Sequence, residues 1–175
     1  KLHVPVEIGE RNFALTGILP KSEFRAKSAW AGAGIFARPI ECGVDMGVEP
    51  EPVDKRSLVR KRVIEDLDTH EILIGADVAD SQDMTKGDSM PLLGESFSVI
   101  AVLPETGTVD DSRIFAHLHT VQRLADMGEV VNCIEIVGCC EEIAAGLVED
   151  VNELLPDAKV VTVKQVVATQ QNVNQ

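Results

Sequence analysis

The stretch of residues 72–124 constrains the fold more than any other part of the chain, because closely spaced turn residues separate its apolar runs. Its first part predicts a short buried strand over residues 71–74, which ends at Gly75. A helix over residues 76–83 follows, with Gly87 as the glycine beyond its C-terminus. A strand and a helix in such close succession indicate a domain that contains both.

The second part of this stretch predicts a β-hairpin. Two apolar runs, over residues 88–93 and 96–103, flank the turn Gly94-Glu95, and this order of runs and turn is typical of paired antiparallel strands. An acidic loop over residues 107–112 follows. Beyond it the sequence predicts a strand over residues 114–117.

A helix is expected after that strand, with Thr120 as its N-cap and Met127 near its end.

The front of the chain predicts another hairpin. Alternating runs over residues 2–8 and 12–19 flank the turn Gly9-Glu10. Pro5 cannot donate a backbone hydrogen bond, so its strand is expected at the edge of a sheet.

Ser22 is the predicted N-cap of a helix over residues 23–31, in which Trp30 is expected to be a core anchor.

The last third predicts a βαβ unit. Residues 130–137 alternate like a strand, Glu141 and Glu142 suit the start of a helix, and residues 159–163 form the next strand-like run. The predicted fold class is therefore α+β. The predicted domains are a β-rich subdomain with short helices over residues 1–128 and a βαβ unit over residues 129–175.

Charge and composition exclude some partners. The chain has 29 acidic and 16 basic residues and a net charge of -13. Nucleic acid is excluded as a partner because binding to it depends on cationic groups. The acidity indicates solubility, or a domain on the non-cytoplasmic side of a membrane protein. No apolar run reaches the length needed to span a bilayer, and both ends have the character of a segment excised from a longer chain.

Few residues are candidates for chemistry. Cys42, Cys133, Cys139 and Cys140 match no zinc-binding spacing and are interpreted as packing thiols. His117 and His119 could share a strand face as a metal pair, but the sequence offers no third ligand at useful spacing.

The adjacent pair Asp110-Asp111 lacks the alternating ligands of a calcium loop and is interpreted as an acidic cap of the next element. Residues 32–52 are rich in glycine and proline, and Gly32 and Gly34 lack the strand and helix context of a phosphate-binding turn. No catalytic residue, metal site or cofactor site is predicted.

The order of these pieces resembles the extracytoplasmic domain of ABC-transporter permeases of the MacB, LolC and FtsX class. In that class an Ile-Leu-Ile-Gly strand end, a Gly-Asp hairpin and a Thr-Gly…Asp-Asp loop precede a strand, a helix and a βαβ tail. The resemblance covers roughly residues 2–167. The matching residues are Ile72, Leu73, Ile74, Gly75, Val78, Ala79, Gly87, Asp88, Met90, Leu92, Gly94, Phe97, Val99, Ile100, Ala101, Val102, Leu103, Thr106, Gly107, Asp110, Asp111, Ile114 and Phe115.

The resemblance implies a mostly β insert, called the Sabre, and a porter-like βαβ layer that leads toward a transmembrane helix. It implies a domain on the extracytoplasmic or periplasmic side of the inner membrane, which is not an enzyme itself. Its partners would be a separate ATP-binding subunit, a second permease subunit in a dimer, and a periplasmic protein or a lipoprotein or peptide substrate. The class has a first βαβ unit before the strand at Leu2. We expect that unit either outside this segment or lacking in this permease.

On this reading Gly107, Asp110, Asp111, Gly32 and Gly34 belong to loops that contact a partner. Two other hypotheses stay open. One is a small thiol- or metal-dependent enzyme that uses Cys139 or Cys140 with His117 or His119. The other is an α/β module that binds a peptide or a small molecule.

Overall fold

The structure is a computed structural model that describes residues 1–27, 30, 64–136 and 146–160. The chain divides into two compact units, Lys1–Glu135 and Ile136–Gln175. The predicted domain boundary, after residue 128, lies within the first of these units.

The first unit contains a six-stranded sheet in the order β1-β2-β6-β3-β5-β4. Two antiparallel hairpins, β1-β2 and β4-β5, form its outer parts. The two central strands, β3 and β6, are antiparallel to each other, and each is parallel to the inner strand of one hairpin. The strands are β1 (Leu2–Ile8), β2 (Arg11–Ile18), β3 (Glu71–Ile74), β4 (Ser89–Leu92), β5 (Glu95–Val102) and β6 (Arg113–His117).

Short helices lie between these strands or follow them. In the described residues they are α1 (Pro20–Ala26), α2 (Ala76–Gln82), the 3-10 helix η1 (Val109–Ser112) and α3 (Leu118–Leu124). In the second unit, the described residues form the helix α4 (Leu147–Leu154), which has exposed or half-buried side chains. The described parts of the chain are therefore mixed α and β, which is compatible with the predicted α+β class.

Among the described residues of the first unit, one order of elements occurs twice. A hairpin is followed, further along the chain, by a single strand and a helix, as β1-β2, β3 and α2, and again as β4-β5, β6 and α3. Each single strand pairs with the hairpin of the other repeat: β3 lies beside β5, and β6 lies beside β2. The two repeats therefore exchange their third strands across the middle of the sheet.

The sheet has a hydrophobic cluster on each face, because successive side chains of a strand point to opposite faces. In the central strands Ile72 and Ile74 belong to one cluster and Leu73 to the other. The register along β5 shifts here, since Ile72 pairs with Val99 and Leu73 pairs with Ala101. This irregularity places Ala101 on the second face, in the cluster that contains Trp30 and Phe115, whereas Val102 packs against the first cluster.

Both edge strands carry a proline. Pro5 lies in β1 and Pro91 lies in β4, and neither can donate a backbone hydrogen bond to an added strand. The Asn132 side chain covers part of the β1 edge: its Oδ1 accepts from the His3 backbone N–H and its Nδ2 donates to the His3 carbonyl, both at 2.8 Å. These groups hinder the pairing of either edge with a further strand.

Several predicted elements are confirmed. Both predicted hairpins form, the first around Gly9-Glu10, and Pro5 lies on an edge strand. The second hairpin turns at Leu93-Gly94, one residue before the predicted turn, because Glu95 already pairs with Leu92. The strands predicted at residues 71–74 and 114–117 are β3 and β6. Trp30 is a buried core anchor that packs edge-on against Phe115.

Three predicted helix ends are wrong. Helix α1 begins at Pro20 rather than after Ser22, because the fixed φ of proline suits the first helical position. Helix α2 ends at Gln82 and its C-cap residue is Asp83, which adopts the left-handed conformation, so Gly87 is not the glycine that ends this helix. Helix α3 begins after His117, whose ring nitrogen accepts the hydrogen bond expected of Thr120.

The strand predicted at residues 130–137 is also wrong over its described part, 130–136, which forms no regular ladder. Alternation favours an extended segment, but a strand needs a neighbouring edge with unpaired backbone groups. Here the N–H groups of Asn132 and Cys133 both donate to the Lys1 carbonyl, and the side chain of Asn132, instead of a backbone group, takes the outward N–H and C=O of His3.

Several sequence-based predictions lie outside the described residues. They concern Gly32 and Gly34, the two cysteines at 139 and 140, the start of the helix at Glu141, and the last part of the strand predicted at residues 159–163.

Candidate functional site

The most concentrated arrangement of charge in the described residues lies at one end of β1. Lys1 Nζ contacts Glu135 and lies 2.6 Å from Glu23 Oε1. Lys27 Nζ lies 2.9 Å from Asp110 Oδ2 and 3.5 Å from Glu135 Oε1. Glu23 and Asp110 are buried, so each carboxylate is shielded from water and paired with a cation.

Arg113 completes this group, with Nη1 3.5 Å from Asp110 Oδ1. We call the six side chains the ionic cluster; they are Lys1, Glu23, Lys27, Asp110, Arg113 and Glu135. Three cations face three carboxylates, so the formal charges of the cluster balance. Its members come from the chain start, α1 and its end, η1, β6 and residue 135, and the cluster thus joins parts that are distant in sequence.

Hydrogen bonding within the ionic cluster favours the charged forms of Lys1 and Glu135. Burial alone would raise the pKa of Glu135, but hydrogen bonds and charges from Lys1 and Lys27 outweigh it and lower the pKa below its usual value. Burial alone would lower the pKa of Lys1, but hydrogen bonds to Glu135 and Glu23 outweigh it and raise the pKa. The Glu135 carboxylate is therefore suited to ion pairing rather than to general acid catalysis, which needs a raised pKa.

His3 lies next to the ionic cluster. Burial lowers its pKa to about 4, and the positive charges of Arg113 and Lys1 add to the effect. Its Nδ1 is hydrogen-bonded to Thr16 Oγ1 at 3.0 Å. A histidine beside a hydroxyl resembles an activated nucleophile, but the Thr16 side chain is completely buried and a substrate could not reach it.

Asp111 fastens the loop before η1. Its carboxylate accepts hydrogen bonds from the Thr106 hydroxyl at 2.8 Å, the Thr106 N–H at 3.0 Å and the Gly107 N–H at 2.7 Å. Burial alone would raise the pKa of Asp111, but these bonds, with a further one from the Thr108 backbone, outweigh it and lower the pKa. The carboxylate therefore holds the loop from inside.

The partner-contact prediction thus concerns residues in very different positions. Asp110 and Asp111 are buried and bound to groups of this chain, whereas Gly107 is exposed on the same loop. Val109 follows two residues after Gly107, and its apolar side chain is 43% exposed. A contact role for this loop stays a prediction, and its accessible part consists of residues 105–109.

The two histidines are close to each other, with ring centroids 5.2 Å apart. His117 Nδ1 accepts from the His119 N–H, and His119 Nδ1 is hydrogen-bonded to Gln122. Across the residues that the structure describes, no group of three His, Cys, Asp or Glu side chains could hold a metal ion. The local hydrogen bonds therefore account for both Nδ1 atoms.

Two surface depressions lie elsewhere on the first unit. One, of about 360 Å³, has a lining that includes the carboxylates of Glu65, Asp66, Asp68 and Glu71 together with Lys86. The other lies between the start of β2 and helix α2. The first favours cations by its charge but shows no convergent set of buried polar groups of the kind that fixes a ligand.

Sequence reasoning missed the ionic cluster. Its residues lie far apart in the sequence and carry no spacing signature. A weak signal was available in the short distance between Glu23 and Lys27, which is a helical i,i+4 pair.

Comparison with known proteins adds no family assignment. No family model matches the chain, and no curated protein matches it. Within the described residues, no helix combines the length and apolar character required to cross a bilayer.

Proposed function

We propose that this chain is the extracytoplasmic domain of an ABC-transporter permease of the MacB, LolC and FtsX class. The observation that carries the proposal is the ordered set of matching residues between Ile72 and Phe115. The domain would pass movement driven by a cytoplasmic ATPase to a substrate or partner protein outside the membrane. On this proposal it works within a permease dimer at the inner membrane.

The packing of individual matching residues supports treating them as one structural signature. Gly75 allows the backbone of η1 to approach closely, since a Cβ there would lie 2.2 Å from the Asp111 carbonyl oxygen. Asp111 holds the loop at Thr106 and Gly107, and Phe97 is buried in the core. Packing requires these residue types at several separate points. A match to the permease class at all of these points is less readily explained by chance than a match to a single short motif.

The architecture is also compatible with the proposal. A six-stranded sheet with short helices suits a mostly β insert of the Sabre type. The described helix α4, with acidic residues Glu149 and Asp150 in its first turn, suits the helix of a porter-like βαβ unit.

The first test is the full reading frame around these residues. We expect about four hydrophobic spans of roughly 20 residues, one before Lys1 and the others after Gln175, and a neighbouring ATPase gene. A free-standing frame without such spans would overturn the proposal.

The second test concerns the contact loop in cells that express the full reading frame. A photo-crosslinking amino acid at Val109, on the exposed loop, should give a specific product with another protein. The same residue placed at Glu7, exposed on the β1 edge, is the matched control. Equal products from both positions, or none from Val109, would remove this loop as a contact surface.

A further inference from the structure

Residues 132–135 form the segment through which the first unit continues into the second. In the part of the chain that the structure describes, the backbone of the segment contacts the sheet only at Lys1: the N–H groups of Asn132 and Cys133 donate to the Lys1 carbonyl at 3.1 and 3.2 Å, and the Cys133 carbonyl accepts from the Lys1 backbone nitrogen at 2.7 Å. It adds no regular strand to the sheet. Backbone pairing alone therefore gives it little stability.

Apolar burial does not hold the segment either. Ile134 is 64% exposed and the preceding Val131 is 46% exposed. Because the hydrophobic contribution scales with the apolar area removed from water, side chains this exposed contribute little. The attachment must come from polar groups.

The polar groups that hold the segment lie at its two ends. At one end, Asn132 forms two hydrogen bonds with the backbone of His3, both at 2.8 Å. At the other end, Glu135 contacts Lys1 and lies 3.5 Å from Lys27 Nζ. Lys1 and Lys27 are themselves tied to the buried carboxylates Glu23 and Asp110.

We infer that the ionic cluster is a clamp that fastens residues 132–135 to the sheet through Glu135. The clamp goes beyond the proposed function and operates in the same way whatever the chain's partners are. Without the Glu135 carboxylate, three cations would face two carboxylates, and the segment would keep only the contacts of Asn132 and Cys133. Glu135 is thus the member of the ionic cluster through which the cluster holds the end of this segment on the sheet.

Hydrogen exchange in the complete chain tests the clamp, with NMR used to follow individual amides. In Glu135→Gln, the amides of Asn132 and Cys133 should exchange about tenfold faster, because a charge-assisted attachment is lost. The central-strand amides of Leu73 and Phe115 should keep their protection. Lys27→Gln should act in the same direction on the same two amides.

Glu129→Gln is the matched control, because Glu129 is exposed three residues before the segment and lies outside the ionic cluster. Its exchange rates should equal those of the parent chain. Unchanged rates at Asn132 and Cys133 in Glu135→Gln would overturn the inference, as would an equal increase in the control. Faster exchange throughout the sheet would also overturn the inference, because the contacts of Glu135 would then stabilise the whole fold rather than this attachment.

Discussion

Gly75 lies where the start of helix α2 meets η1, and its backbone is within ordinary conformational limits, with φ of -70°. The requirement for glycine comes from space instead. A Cβ would lie 2.2 Å from the Asp111 carbonyl oxygen and 2.3 Å from that of Asp110. Both obstructing atoms belong to backbone that the Asp111 hydrogen bonds hold in place, so neither can move away cheaply.

Gly75→Ala should therefore lower the free energy of unfolding by about 3 kcal/mol, at the upper end of overpacking costs. Urea denaturation of the complete chain measures the loss. Gly107→Ala is the control: it has φ of +67° but open space around it, so only the backbone cost of about 1–2 kcal/mol applies. Equal losses in the two variants would show that the close approach at Gly75 relaxes.

Asp111 should make stability depend on acid pH. Its pKa is lower in the folded chain than in the unfolded chain, because folding supplies the hydrogen bonds from Thr106 and Gly107. Its contribution is then fully present above the ordinary Asp pKa and is lost as the pH falls through the lowered folded value. Asp111→Asn should cost about 1.5–3 kcal/mol at neutral pH and show a weaker acid dependence.

Urea denaturation of the parent chain and Asp111→Asn at several pH values between neutral and acid measures this dependence. Glu105→Gln, an exposed acid on the same loop, is the matched control and should keep the parent's acid dependence. Parallel pH curves for the parent and Asp111→Asn would contradict the assignment.

The elements of the sheet were largely predictable because apolar residues alternate in them. Both hairpins, β3 and β6 follow from that pattern together with the turn glycines. Helix ends were not predictable to the residue, since capping depends on which group reaches the free N–H groups. The ring of His117 does so at α3, although histidine is not a favoured capping residue.

The site was harder to predict than the elements. Acidic residues are mostly exposed in proteins, so the pair Asp110-Asp111 was interpreted as a loop surface. Their burial depends on Lys27 and Arg113, and on the N–H groups of the preceding loop, which a linear sequence does not bring together. The prediction of a strand at residues 130–137 was wrong for a related reason, because the alternation of apolar residues does not reveal whether a sheet edge is available for pairing.

Helix α3 packs on the sheet across Gly17 of β2. A Cβ at Gly17 would lie 3.0 Å from Val121 Cβ and 3.2 Å from Leu118 Cα. The first obstructing atom is the Cβ of Val121, which alanine would keep, and the second belongs to the backbone of Leu118. The cost should therefore not depend on the γ-methyl groups of Val121.

Gly17→Ala alone should lower stability by about 1–2 kcal/mol. In a Val121→Ala background the same change should cost the same to within about 0.5 kcal/mol, because alanine keeps the Cβ that obstructs Gly17. Denaturation of the parent, both single variants and the double variant gives this coupling. A clearly smaller cost in the double variant would show that the γ-methyl groups of Val121, rather than its Cβ and the backbone of Leu118, set the limit.

At the scale of the whole molecule, the repeated order of hairpin, strand and helix is visible in the sequence once it is known. Phe13 and Pro20 bracket the end of the first hairpin, and Phe97 and Pro104 bracket the end of the second at the same spacing. The exchange of the third strands is not visible there, because no local pattern states which hairpin a strand will join.

This exchange has a mechanical consequence. Strand β3 pairs only with β5 and β6, which both belong to the second repeat, and β6 pairs only with β2 and β3, which both belong to the first. Each repeat alone would leave its third strand without a partner. If the chain is cut between the two repeats, the repeats should therefore stay together as one folded sheet.

A protease site inserted between Lys86 and Gly87, both exposed between α2 and β4, tests this expectation. After cleavage the two fragments should elute together in gel filtration and keep the circular dichroism of the intact chain. The nicked complex should also unfold at a urea concentration that falls on dilution, because association is now bimolecular. Once separated in urea and returned to buffer individually, neither fragment should regain the strand signal in circular dichroism, whereas the mixture should. If either fragment regains that signal on its own, its single strand has found a partner within its own repeat, and the exchanged topology is not what stabilises the sheet.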